Sequence, residues 1–110
     1  MAAISNLYID AGSTFSAIIT VSGSDGNPLN LTAYTVAAQI RKSYGSTTAY
    51  NFNATIFDAP SGKVRLELAA SASSLIKPGR YLYDIEVTYG TTKLRVVEGL
   101  VIITPEITKI

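Results

Sequence analysis

The strongest constraint on the fold is an alternation of apolar and polar side chains with a period of two residues. Between Tyr81 and Val87 the chain reads Tyr-Leu-Tyr-Asp-Ile-Glu-Val, so the tyrosines, Ile85 and Val87 share one parity and the two acidic residues the other. Successive side chains of a strand point to opposite faces, so this pattern buries one face and exposes the other to water. The same alternation recurs at 15–21, 36–40, 50–56 and 64–68. It is typical of an antiparallel β domain.

Turn-forming residues divide the chain into about seven strands. We predict strands at 4–9, 14–21, 35–42, 49–57, 63–69, 80–89 and 92–104. Strands of this length and spacing favour an all-β, two-sheet sandwich. One short helix is predicted at 71–76, because Ser71 can cap its start and Lys77-Pro78-Gly79 ends it.

The last predicted strand contains a slip in its charge pattern. Lys93 and Arg95 share one parity, whereas Glu98 has the other, and Gly99 lies beside the slip. An extra residue in one strand of a pair shifts the parity of every residue after it. The sequence therefore predicts a β-bulge within 96–99.

Composition limits the classes of partner. The 110 residues fit one domain, predicted to span 1–110, and 47% are hydrophobic while only 15% are charged. The net charge is +1, so we expect no broad basic field for nucleic acid or for an anionic membrane. The start of the chain lacks the features of a signal peptide, and the longest apolar run, at 100–103, is far too short to span a bilayer.

The residue types argue against catalysis. Histidine and cysteine are both absent, which removes the commonest general base, the commonest metal ligands and every thiol. Asp84 and Glu86 share one strand face, but a solvated face paired with Lys93 and Arg95 explains them more simply. The loop Ser24-Asp-Gly-Asn resembles a fragment of a Ca²⁺ loop without its later acidic ligand. We therefore predict no enzyme, and no catalytic, cofactor or metal site.

Some apolar residues lie on the polar parity of their strands and suggest a contact surface. Ile18 lies among Ser and Thr, Phe57 among Asn and Thr, and Leu82 shares the parity of acidic residues. Val101 and Ile103 belong to a C-terminal run that is apolar on both faces. A cluster of such residues on one sheet face marks an interaction surface. These five residues are the predicted self-association or partner contacts.

Several segments together resemble a known family. They are Ile9-Asp-Ala-Gly-Ser-Thr-Phe, Leu31-Thr-Ala-Tyr-Thr-Val-Ala-Ala-Gln-Ile-Arg-Lys, Ser61-Gly-Lys-Val, Lys77-Pro-Gly-Arg-Tyr-Leu-Tyr-Asp-Ile-Glu-Val and Arg95-Val-Val-Glu-Gly. Their order is similar to small β-sandwich virion proteins of tailed bacteriophages and cyanophages. It also resembles the N-terminal domain of phage upper-baseplate proteins. The shared motifs are turns, caps and core faces, so no binding residue is carried over.

The resemblance implies an immunoglobulin-like fold and a structural role in the virion. The implied partners are the major capsid protein or tail and baseplate proteins. The implied assembly is a homo-oligomer, with a trimer suggested by decoration proteins at three-fold positions. Because no linker to a second domain is evident, a capsid decoration (cement) protein is favoured over a baseplate component. A carbohydrate-binding sandwich is the competing class, and it would use exposed aromatic residues such as Tyr44, Tyr50 and Tyr89.

Overall fold

A computed structural model describes residues 3–23 and 25–107 of the chain. The strands are β1 (Ala3–Ile4), β2 (Leu7–Asp10), β3 (Phe15–Thr20), β4 (Thr35–Arg41), β5 (Ala49–Asn51), β6 (Asn53–Asp58), β7 (Lys63–Leu68), β8 (Gly79–Tyr89) and β9 (Thr92–Thr104). The helix α1 spans Ala70–Ser73. Ser24 in the predicted calcium-like loop and residues 108–110 of the predicted tail lie outside the described residues.

The strands form two sheets that pack face to face. The larger sheet has the order β1-β9-β8-β4-β5, with β2 also paired to β9, and the smaller sheet has the order β3-β7-β6. Counting β1 with β2, and β5 with β6, gives seven strands that we letter A to G in chain order. The smaller sheet is then B-E-D, and the larger contains G-F-C. This is the immunoglobulin-like β-sandwich, so the predicted fold class is confirmed.

The core lies between the two sheets. It is formed by the apolar residues of the alternating pattern, as the sequence predicts. In β8, Tyr81, Tyr83, Ile85 and Val87 are all buried, while the residues between them are half-buried on the outer face. They meet buried residues of β7 such as Leu66, which is fully buried. The inward face of each sheet is therefore set by burial of apolar area.

Two predicted strands are each divided in the structure. The segment predicted as one strand at 49–57 pairs first with β4 and then, after Phe52, with β7. The segment predicted at 4–9 is interrupted at Ser5 and Asn6. Both parts of it run parallel to β9, unlike the antiparallel pairing elsewhere. Parallel pairing is accessible here because the two strands are far apart in sequence and need no tight turn between them.

The predicted bulge is confirmed and located. Ile85 pairs with Val97 and Glu86 with Arg95, so Val96 is the extra residue of β9. Both Val96 and Val97 are buried as a result.

The helix is shorter than predicted, and Ser71 does not cap it. It covers Ala70–Ser73, and Ala69 at its N-cap makes no side-chain cap hydrogen bond. Ser73 is the structural serine instead: its fully buried hydroxyl accepts from the Gly12 N–H at 3.1 Å and donates to the Ser13 carbonyl at 2.8 Å. This contact joins the helix to the turn after β2, which explains why a polar side chain is kept in the core.

Candidate functional site

Three of the predicted contact residues lie on outer faces of the sandwich, but on opposite sides of it. Ile18 on β3 and Phe57 on β6 belong to the outer face of the smaller sheet and are 49% and 50% exposed. Leu82 on β8 belongs to the outer face of the larger sheet and is half-buried. The structure therefore offers two candidate surfaces instead of the single cluster that the sequence suggested.

The other two predicted contact residues, Val101 and Ile103, must be corrected. Their side chains are 0% and 2% exposed and lie in the core between the sheets. The bulge at Val96 sets the parity of the last half of β9, and this parity turns Leu100 and Ile102 outward instead. An apolar run on both faces of a strand hides which face is inward, so this error follows from the sequence pattern itself.

The outer face of the larger sheet contains a groove of about 690 Å³. Leu82 and Leu100 are directly paired across β8 and β9 and form the apolar part of the groove. Ile4 and Tyr44 line it from β1 and from the loop after β4, and both are more than 75% exposed. Exposed apolar groups gathered in this way mark an interaction surface more strongly than isolated ones do.

A charged cluster lies beside the apolar part of the groove. The Arg95 guanidinium contacts Asp84 through Nε at 3.2 Å and Glu98 through Nη1 at 3.3 Å. Partial burial raises the pKa of Asp84, nearby Glu86 raises it further, and Arg95 opposes both effects. The predicted pairing of the acidic face with Arg95 is thus present, whereas Lys93 lies opposite Thr88.

On β4 an arginine is held along the sheet by hydrogen bonds. Arg41 donates from Nη1 to the Ser46 carbonyl at 2.6 Å and from Nη2 to Gln39 Oε1 at 3.1 Å. Gln39 in turn donates from Nε2 to Asn51 Oδ1 at 2.8 Å. This network fixes the Arg41 side chain toward the β5 side of the groove.

The first strand, meaning β1 and β2 with Ser5 and Asn6 between them, is fixed to the larger sheet by contacts that the sequence did not predict. The Tyr83 hydroxyl donates to the Ser5 carbonyl at 2.6 Å, and Asn6 Oδ1 accepts from the Leu100 N–H at 3.0 Å. Burial raises the pKa of Tyr83. A Cβ on Gly99 would clash with the Ser5 carbonyl oxygen, so the close approach requires glycine. Gly99 inside a strand was the available signal for this contact.

Arg65 lies at the centre of the outer face of the smaller sheet. Arg65 on the central strand β7 pairs directly with Ile18 of β3. Its guanidinium carbon lies 4.5 Å from the centroid of the Phe57 ring. This cation–π contact holds an exposed aromatic ring and a positive charge together on the face that also carries Ile18.

The three candidate tyrosines of a carbohydrate platform do not converge. Tyr44 is exposed in the loop after β4, and Tyr89 is exposed at the opposite end of the sheet against Tyr34, which precedes β4. Tyr50 is half-buried and packs edge-on against Tyr81. A stacking platform needs neighbouring exposed rings, so this arrangement does not favour one.

Two further properties bear on chemistry and location. Within residues 3–23 and 25–107 there is no group of three or more His, Cys, Asp or Glu side chains that could hold a metal ion. In the same residues no helix has the length and apolar character needed to cross a membrane.

Comparison with known proteins shows similarity of fold and indicates no function. No family model and no curated protein matches the chain. InlP of Listeria monocytogenes is similar with a TM-score of 0.50 and 11% identity over 91% of this chain. A family 123 glycoside hydrolase from Clostridium perfringens has a TM-score of 0.43 and 11% identity over 94% of this chain, a level too low to support an argument.

The present chain spans only about a quarter of either structure, 26% and 23% of their lengths. At such low identity the InlP likeness shows the fold alone.

Proposed function

We propose that this protein is a structural component of a tailed-phage virion, and specifically a capsid decoration protein that stabilises the particle through protein–protein contacts. The phage class is supported by the resemblance of the sequence motifs described above. The observation that carries the structural role is that both outer faces of one sandwich present exposed apolar side chains. Such a domain contacts two neighbours at once, which is what a cementing protein must do.

The smaller sheet is the proposed contact with the particle. Its outer face presents Ile18 and Phe57 on either side of Arg65, and Lys63 and Glu67 flank Arg65 along β7. The complementary partner is the major capsid protein, through an apolar surface that carries an acidic side chain for Arg65. Buried aromatic side chains and arginines contribute much of the binding energy at protein interfaces, and this face carries one of each.

The contact is expected to be repeated over the particle. Capsid positions are related by symmetry, so each copy of a decoration protein meets an equivalent capsid surface. Many weak, equivalent contacts then stabilise the shell together, although each involves only one small sheet face. The virion is thus the proposed location of the protein.

The test is binding of the purified protein to particles assembled without it. We expect the parent chain to co-sediment with these particles and Ile18→Lys to bind about tenfold more weakly, because a charge replaces an apolar anchor. Leu75→Lys is the matched control, since it makes the same apolar-to-lysine change at a residue that is 75% exposed and lies outside both sheets. We expect it to bind like the parent.

Two outcomes would overturn the decoration role. In the first, the parent chain binds tails or baseplates but not capsids, which would favour the baseplate alternative. In the second, the parent binds no particle component but binds host-surface glycans, which would favour the carbohydrate-binding alternative. Cryo-microscopy of native particles would show directly where the protein lies.

A further inference from the structure

The outward side chains of β8 are arranged with opposite charges on either side of an apolar centre. Arg80, Leu82 and Asp84 follow one another on the outer face, two residues apart. Their partners on β9 are Ile102, Leu100 and Glu98, so the leucines form a central row across both strands. A rotation of 180° about this row would exchange the basic side with the acidic side.

Strands β1 and β2 place two apolar residues symmetrically about the same central row. Ile4 pairs with Glu98 and Tyr8 pairs with Ile102, so the two lie equally far from the Leu100 row on opposite sides of it. Their side chains are 76% and 71% exposed. Two large apolar side chains at symmetric positions on an outer face are unfavourable in water and are well placed for a symmetric contact.

We propose that the outer face of the larger sheet binds the same face of a second copy of this chain. The two-fold axis crosses the strands at Leu82 and Leu100. Strand β8 of one copy then lies over β8 of the other in the opposite direction. Asp84 of each copy faces Arg80 of the other, and Ile4 faces Tyr8. Each pair occurs twice, as an isologous dimer requires.

The groove and the remaining charges are compatible with this pairing. Tyr8 of one copy reaches the end of the groove where Ile4 of the other lies, so it covers exposed apolar surface. Arg41 lies near the axis, but its guanidinium is turned along the sheet by its bonds to Ser46 and Gln39. Arg95 keeps its contacts with Asp84 and Glu98 within the same copy, so Asp84 meets Arg80 of the other copy while it remains paired with Arg95.

The size of the face sets the expected strength of the dimer. Five strands at the usual spacing and about six residues of length give roughly 500 Å² per copy, or about 1,000 Å² in total. That area is at the low end for specific protein interfaces, so the dimer is expected to be weak, with a dissociation constant on the order of micromolar. The dimer can form without a particle, because the particle contact proposed above uses the other sheet.

Charge reversal at two positions provides a specific test. In sedimentation velocity over a concentration series, we expect the parent chain to change from monomer to dimer. In a dimer of Arg80→Glu, a glutamate faces Asp84 at both equivalent positions. In a dimer of Asp84→Lys, a lysine faces Arg80 at both of them. Each variant alone should dimerise about tenfold more weakly or worse, because like charges then face each other twice.

Mixing the two variants distinguishes this interface from others. In a heterodimer of Arg80→Glu with Asp84→Lys, both facing pairs have opposite charges, so dimerisation should return toward the parent level. Lys77→Glu is the control, because it makes the same charge change as Arg80→Glu at an exposed site outside the strands. We expect it to dimerise like the parent. Circular dichroism of each variant checks that the fold is intact.

Three results would overturn the proposal. They are a parent chain that stays monomeric to about 1 mM, charge variants that dimerise as the parent does, and two folded variants that fail to restore dimerisation when mixed. A dimer that is lost with Ile18→Lys but not with the charge variants would move the interface to the smaller sheet. Because no particle is present in these measurements, their failure is separate from failure of the decoration role.

Discussion

The two faces of the larger sheet are built from the same strands but are governed by different physical requirements. On the inward face, burial decides each residue, and Ile85 and Val101 are completely buried. On the outward face, Arg80, Leu82 and Asp84 are at most half-buried. Their notable property is the sequence of a basic, an apolar and an acidic side chain along the strand. The inward face therefore determines whether the chain folds, whereas the outward face is free to determine what the folded chain binds.

The largest expected difference between the two faces is in the stability lost when neighbouring residues of β9 are replaced by lysine. Ile103 is 2% exposed and points inward, while Ile102 is half-buried and points outward. Ile103→Lys places a charge in the core and should lower the free energy of unfolding by about 4 kcal/mol or more. Ile102→Lys should cost about 1 kcal/mol or less.

Denaturant titration at low protein concentration, where the chain is monomeric, measures both values. Equal losses for the two lysine variants would mean that the register of β9 after the bulge is wrong. A loss confined to Ile102→Lys would exchange the two faces of the strand.

A smaller loss of stability is expected where the segment between β1 and β2 lies against β9. Gly99→Ala would place a methyl group against the backbone of Ser5 and should cost about 1–3 kcal/mol, as overpacking usually does. Gly45→Ala is the control, because a Cβ there has no neighbour within 4 Å. Thermal unfolding of the two variants gives the comparison, and a Gly99→Ala variant as stable as Gly45→Ala would contradict the close approach of the first strand.

The sequence predicted the strands whose two faces differ clearly in polarity. The alternation in 81–87 identifies the buried face of β8, and Gly90 at the tip explains the hairpin to β9, since its φ of 60° is costly for other residues. The parity slip between Arg95 and Glu98 was enough to predict the bulge. In each case local residue types contain the information, because side chains alternate strictly across a strand.

The remaining features depend on contacts between residues distant in sequence. Nothing at Phe52 indicates that the strand changes sheet there, because both of its halves alternate in the same way. The groove forms only when the first strand is placed beside β9, through Tyr83 and Asn6. The pattern alone places Val101 and Ile103 on a surface, because residues on both sides of that strand are apolar. The candidate site therefore required the structure.

The most direct test of the central claim is a concentration series of two-dimensional amide NMR spectra of the parent chain. If the outer face of the larger sheet binds a second copy, the concentration-dependent shifts should be largest for the amides of Ile4, Tyr8, Leu82 and Leu100. The amides of Ile18 and Phe57 should remain unchanged. Shifts centred on β3 and β6, or no shifts up to about 1 mM, would contradict the claim.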